Sequence, residues 1–226
     1  MKVALVACTP DADKILGYVA RVSNPSNQAN PDVGKLLAYC ARNSHWSVFE
    51  HAFATLEIET TRDIARQMLR HRSFSFSEFS QRYADVDALA PGDWELRECR
   101  LQDAKNRQNS LECSNLVTQV RWEALQANVL NAAWTAYREA LETGIAKEQA
   151  RAVLPEGLTP SRLYMSGTLR SWITYCQVRT DPATQKEHRL IAEQALMVLR
   201  EVAPITMEAF FPVGATMATK QHEVQT

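Results

Sequence analysis

Phe53-Ala54-Thr55-Leu56-Glu57-Ile58-Glu59-Thr60, running on into Thr61-Arg62-Asp63-Ile64-Ala65-Arg66-Gln67-Met68-Leu69-Arg70-His71, is the stretch on which the fold turns. In its first half Ala54, Leu56 and Ile58 point one way, and Thr55, Glu57 and Glu59 the other. A period of two predicts a half-buried strand over 53–60. The period then changes. Ile64, Ala65, Met68 and Leu69 recur at helical spacing, which predicts a helix over about 62–71 capped by Thr60 or Thr61. Arg66, Gln67, Arg70 and His71 lie on its opposite side, because positions three and four apart are neighbours.

Upstream, Lys2–Thr9 reads as a first strand, apolar enough to be central in a sheet. Asp11 or Asp13 can cap a helix over roughly 12–22. Residues 24–31 form a polar loop, and a helix over about 32–43 sets Val33, Leu36, Leu37 and Cys40 on one face. Downstream, 84–105 contains Pro91-Gly92 and reads as loop and short strand. A long helix is expected over about 106–143, a short one over 147–153 and a strand over 162–167. Helices over about 169–179 and 183–202 follow, the second ended by Pro204. Trp122, Trp134 and Tyr137 fall at helical spacings and read as core before cofactor stackers. With no internal repeat and no shift of composition, the expectation is a single α+β domain over 1–211. Its mixed or antiparallel sheet is flanked by long helices, and a polar tail covers 212–226.

Composition narrows the function classes. Hydrophobic content of 46% and charged content of 23% are ordinary for a soluble globular chain. A formal charge of -1 argues against bulk electrostatic capture of nucleic acid or of an acidic membrane. Cys8, Cys40, Cys99, Cys113 and Cys176 form no paired or histidine-linked metal spacing, so no metal is expected and the thiols read as reduced, in a cytoplasmic protein. The apolar N-terminal run is too short for a signal segment, and no run is long enough to span a bilayer.

Against that neutral background, the window 66–82 holds four arginines (Arg66, Arg70, Arg72, Arg82), four serines and one acid, Glu78. Guanidinium forks and hydroxyls suit phosphate oxygens, so the window reads as an anion site. Arg70 and Arg72 near a helix C-terminus also complement the helix dipole, but that leaves Ser75, Glu78, Ser80 and Arg82 without a purpose. Three further segments join it: Arg21-Val22-Ser23, Ser44 through His51, and Arg151-Ala152-Val153-Leu154-Pro155. Arg170 and Arg179 sit on an otherwise apolar helix, where an arginine needs a partner.

Arg70-His71-Arg72, then Ser75, Ser80 and Arg82-Tyr83, resembles the signature of flavin-dependent thymidylate synthases. Ala20 through Ser23, His45 with Glu50-His51, Ala65-Arg66-Gln67, Ala150 through Pro155, Leu169-Arg170-Ser171 and Val178-Arg179 follow in the family's order. The resemblance covers about residues 2–211. It implies a homotetramer with active sites built between subunits and non-covalent FAD. It also implies NADPH as reductant, 5,10-methylenetetrahydrofolate as carbon donor, and conversion of dUMP to dTMP without a cysteine nucleophile.

Carried over by position, Gln67, Arg70, Glu78, Ser80, Arg82, Arg151 and Arg179 are implied to bind dUMP, Arg151 from a neighbouring subunit. Ser23, Ser47, Glu50, Arg70, His71, Arg72 and Arg170 are implied to contact flavin, and His45 to lie near the flavin ring and folate. Ser80, Arg179 and His45 are the implied catalytic set. Ser77, Thr168 and Thr174 stand where the family often has asparagine, which puts flavin contacts at the two threonines in doubt. Two other readings remain beside this one: a same-scaffold flavoenzyme acting on another pyrimidine nucleotide, and a module binding nucleic-acid phosphates.

Overall fold

In the computed structural model, which describes residues 1–89 and 94–213, the chain builds a four-stranded sheet with helices packed on one face. Strand β1 (Lys2–Cys8) leads to α1 (Ala12–Ala20) and α2 (Gly34–Arg42). The alternating stretch becomes β2 (Phe53–Thr61), which passes without a loop into α3 (Arg62–Met68). Strand β3 (Ser75–Glu78) follows, then a ribbon of β4 (Arg100–Gln102) and β5 (Ser110–Glu112). The remainder is α4 (Leu116–Glu142), α5 (Lys147–Ala150), β6 (Pro160–Thr168), α6 (Leu169–Arg179), α7 (Lys186–Val202) and α8 (Pro204–Phe210). The expected tail falls outside the described residues except for Pro212 and Val213.

The main sheet runs β1-β2-β6-β3, every neighbouring pair antiparallel. Leu56 lies opposite Leu5 on one side and Met165 on the other. Ala54, Leu56, Ile58, Leu163 and Met165 are fully or almost fully buried beneath α3, α6 and α7. The other face carries Thr55, Glu57, Glu59, Arg162, Tyr164 and Ser166. Tyr164 donates to Glu57 at 2.7 Å, and Arg162 donates to Glu59.

Several expectations are corrected. β1 is an edge strand, and Leu5 and Val6 remain exposed, so its apolar run is not explained by burial within this subunit. Asp13 does not cap its own helix. Its buried carboxylate accepts from the backbone of Ile205 (2.8 Å) and Thr206 (3.0 Å), capping α8, the helix that begins where Pro204 ends α7. The helix expected from residue 106 begins at Leu116, where the Asn115 side chain accepts from Thr118. Asp103 accepts from the backbone of Lys105 and Asn106, and this turn chemistry closes the β4–β5 ribbon.

Only Gln126 and Tyr137 of α4 are buried. Tyr137 forms a small separate core with Val86 and Ala150 and donates to Asp85 at 3.2 Å. Trp134 packs at its edge and Trp122 is 39% exposed, so of the three aromatics only Tyr137 is fully core.

Candidate active site

Two polar side chains expected to serve the same ligand, Gln67 and Arg179, are carried by α3 and α6 over a floor of two histidines and a tyrosine. α3 ends at Met68, shorter than expected, and the chain turns there, His71 N–H donating to the Met68 carbonyl at 3.0 Å. The turn swings the His71 ring inward, edge-on to Tyr175 with centroids 5.0 Å apart. Arg179 Nε donates to His71 Nε2 at 2.9 Å, so that nitrogen carries no proton. Burial first, and then the Arg179 charge, push the His71 pKa down to about 4. Arg179 is thus held by a neutral acceptor and keeps its whole positive charge.

His188 lies deeper and is fully buried. Its Nδ1 is 3.2 Å from Gln67 Oε1, and its Nε2 is 3.1 Å from the Tyr175 hydroxyl. Gln67 Nε2 in turn donates to Gln185 Oε1 at 2.8 Å. Burial, then the charges of Arg179 and His71, push the His188 pKa down to about 3. This ring was missed in the sequence, where His188 stands in an ordinary amphipathic helix with no neighbouring motif.

The serine half of the window is a strand, whose alternation the neighbouring charges mask. Ser75 and Ser77 pair with Ser166 and Tyr164 across β6, on the polar face of the sheet. Phe74 and Phe76 turn toward the core, and Phe74 meets Trp172 at 4.8 Å. Gly167 makes this possible: a Cβ there would lie 2.5 Å from the Phe74 ring. Glu78 sits at the strand's end and accepts from Ser161 at 2.7 Å, with Arg62 at 3.6 Å. Just beyond, Ser80 Oγ accepts from Arg82 N at 3.4 Å, and the Arg82 side chain reaches Glu148 at 3.2 Å.

Arg151 bonds the Glu148 carbonyl and lines a cavity of about 370 Å³ together with Arg62, Arg66 and Gln81. Arg66 is paired with Glu156. Gln81 is buried and its Nε2 has no partner among the described residues. Its adjacency to Ser80 and Arg82 was the only sequence signal for it. A larger cavity of about 860 Å³ lies between the β4–β5 ribbon and α4, bordered by Arg97, Arg100 and Trp122. None of the expected site residues lines it, so size alone does not mark the site.

Ser47 and Glu50 lie on the short 3₁₀ helix Trp46–Glu50, with His45 just before it. Glu50 accepts from Arg170 at 2.7 Å, and the Arg170 guanidinium sits 6.0 Å from the Trp46 ring centroid. Burial alone would raise the Glu50 pKa, but its hydrogen bonds to Arg170 and Thr168 and the Arg170 charge bring it down. His45 is edge-on to Tyr39 at 5.6 Å. Ser23, Ser47, Arg70 and Arg72 are exposed, and no hydrogen bond among the described residues engages their side chains. Arg21 is buried and clasps the carbonyls of Asn30 and Asp32, each at 2.5 Å, holding the 24–31 loop closed beside Ser23.

The doubtful threonines have local duties. Thr168 Oγ1 accepts from Ser171 N and caps α6, a task that asparagine performs equally well. Thr174 Oγ1 donates to the Arg170 carbonyl at 3.1 Å. Cys176 is buried, and burial raises its thiol to about 12, far from a thiolate. Among the described residues no helix is long and apolar enough to cross a membrane.

Comparison with known proteins gives concordant matches. A family model described as thymidylate synthase complementing protein matches residues 4–205. A flavin-dependent thymidylate synthase of Synechocystis is 50% identical over 195 residues, 86% of this chain and 87% of that protein. A probable flavin-dependent thymidylate synthase of Paramecium bursaria Chlorella virus 1 is 51% identical over 178 residues, 78% of this chain and 80% of that one. A crystal structure of the UMP/dUMP methylase PolB from Streptomyces cacaoi, bound with 5-Br dUMP, superposes with a TM-score of 0.77. It is 29% identical and covers 92% of this chain and 93% of its own.

Proposed function

The chain belongs to the flavin-dependent thymidylate synthase family, and from that premise we propose that it converts dUMP to dTMP. Methylenetetrahydrofolate donates the carbon and NADPH the reducing equivalents. Bound FAD supplies the redox chemistry between them. The observation that carries this reading is Arg179. It is a cation held by a neutral imidazole, with no carboxylate partner among the described residues. A ring oxygen of uracil that gains negative charge during methylation is what such a cation stabilises.

In this reading Gln67, Arg70, Glu78, Ser80, Arg82 and Arg179 bind dUMP, and Arg151 reaches it from another subunit. Glu78 and Arg82 enter the site already oriented by Ser161 and Glu148. The flavin falls to Ser23, Ser47, Glu50, Arg70, His71, Arg72 and Arg170, with His45 near its ring and the folate. The residues fit the group: Arg70 and Arg72 are exposed cations without acidic partners among the described residues, as a diphosphate requires. Ser80, Arg179 and His45 form the catalytic set. His71 contributes through Arg179, whose guanidinium it orients.

The protein acts in this proposal as a cytoplasmic homotetramer, its family domain spanning 1–211. Exposed Leu116, Val117, Val120, Leu125 and Val129 along α4, with Leu5 and Val6 on the edge strand, support assembly, since a monomer leaves them in water. The 50% identity to the thymidylate synthase of Synechocystis supports dUMP as the substrate.

The first test is optical. Protein reconstituted with FAD is expected to retain flavin absorption through gel filtration and to change its spectrum when dUMP is added. Colourless protein that instead binds polynucleotide in a salt-sensitive way would overturn the reading.

A further inference from the structure

Gln67 has an amide whose two ends are chemically opposite, and something must decide which end meets the ligand. Gln67 Oε1 can only accept, so the 3.2 Å contact to His188 requires the proton on Nδ1. His188 Nε2 is then an acceptor, and the Tyr175 hydroxyl at 3.1 Å donates to it. The bonds run in one direction: Tyr175 O–H to His188, His188 Nδ1–H to Gln67 Oε1, Gln67 Nε2–H to Gln185. With the proton on Nδ1, reversing the amide would set Gln67 N–H against the Nδ1–H.

We propose that His188, buried between Tyr175 and Gln67, is a positioning residue that holds the Gln67 amide in place and through it sets the affinity for the pyrimidine nucleotide. The proposal rests on the reading that Gln67 faces dUMP. His188 itself, fully buried, touches no ligand. The same floor serves Arg179: the Tyr175 ring packs against both imidazoles, 5.0 Å from His71 and 5.7 Å from His188. A proton on His188 would add a second cation beneath Arg179 and abolish the acceptor that Tyr175 uses. Burial keeps the ring neutral at the pH of the reaction. An apolar residue at position 188 would fill the space equally well, but it would leave the amide free to turn.

The test is a double-mutant cycle read by dUMP affinity, measured calorimetrically on the FAD-loaded protein. His188→Leu is expected to weaken dUMP by about tenfold, the scale of one lost orienting hydrogen bond, and to leave FAD affinity within about twofold. His188→Asn places an amide N–H where Nδ1–H was, and is expected to recover affinity to within about threefold of wild type. In a Gln67→Ala background His188→Leu is expected to change nothing further. If the leucine variant does not fold, Tyr175→Phe replaces it in the cycle, with an expected loss of about threefold that likewise disappears beside Gln67→Ala.

Equal losses for His188→Leu with and without Gln67, or an asparagine variant as weak as leucine, would overturn the relay while leaving Gln67 at the nucleotide. Wild-type dUMP affinity in Gln67→Ala would remove Gln67 from the nucleotide site, and the relay with it. In that case dTMP formation by the same preparation would show whether the proposed activity survives.

Discussion

Arg179 shows how the kind of partner, not only its presence, sets what a charged residue can do. Arg170, on the same helix, is neutralised by Glu50. Arg179 donates instead to His71, whose low pKa keeps it uncharged, so its field remains for a ligand. Arg179→Ala is therefore expected to weaken dUMP by about tenfold or more while moving FAD affinity little, as loss of a charge-assisted hydrogen bond predicts. Binding titrations of both ligands check this, and the reverse ordering would mean that the two pockets have been exchanged. Among the described residues the Ser80 hydroxyl makes one hydrogen bond, accepting from Arg82 N at 3.4 Å. Ser80→Ala is accordingly expected to lower turnover and dUMP affinity with a melting temperature within about 2 °C of wild type, since removing so weak a contact costs little stability. Wild-type kinetics would take Ser80 out of the site.

Among the elements, β3 and the turn before it bring the arginine and serine halves of the window to their places. Gly167 lets the Phe74 ring, just before the strand, approach the β6 backbone. Gly167→Ala must displace that ring, and overpacking of this kind costs about 1–3 kcal/mol. The expected result is a lower melting temperature together with weaker dUMP binding; unchanged values of both would show that β3 does not depend on this contact.

The period-two signal of β2 and the three-four signal of α3 were legible because each buries one face against the core. β3 was equally legible in principle. Phe74 and Phe76 alternate with Ser73, Ser75 and Ser77, an alternation that the arginines beside them obscure. The pairing of Glu50 with Arg170 and of Arg179 with His71 was not legible, because both cross from distant segments. His188 left no trace, since a histidine on the buried side of a helix looks like any other core position. The edge placement of β1 was hidden because an apolar run reads as a buried strand whether or not its side chains are exposed.

At the scale of the whole molecule, the two neutral histidines tie stability to pH. Unfolded, each ring titrates near 6.5; folded, His71 and His188 hold off protonation until about 4 and about 3. Between those values the unfolded chain binds more protons, so stability rises with pH there. Their contribution is complete above about pH 7 and is lost progressively as pH falls through 6.5, toward about 4 for His71 and about 3 for His188. Thermal unfolding at pH 5 is expected to begin at a lower temperature than at pH 7.5, with a smaller difference in His188→Asn. Identical pH dependence in the two proteins would show that His188 is not neutral in the fold.

The helices α4 and α7, the polar sheet face and the exposed edge of β1 all leave surface that one subunit does not cover, which is where the proposed tetramer would place shared sites. What such an assembly does is settled by its product. FAD-loaded protein supplied with labelled dUMP, methylenetetrahydrofolate and NADPH is predicted to yield dTMP, identified by mass and chromatography, and to yield none when any one of the three is withheld. An unmethylated or hydroxymethylated nucleotide as the final product, from protein shown to hold flavin, would contradict the account.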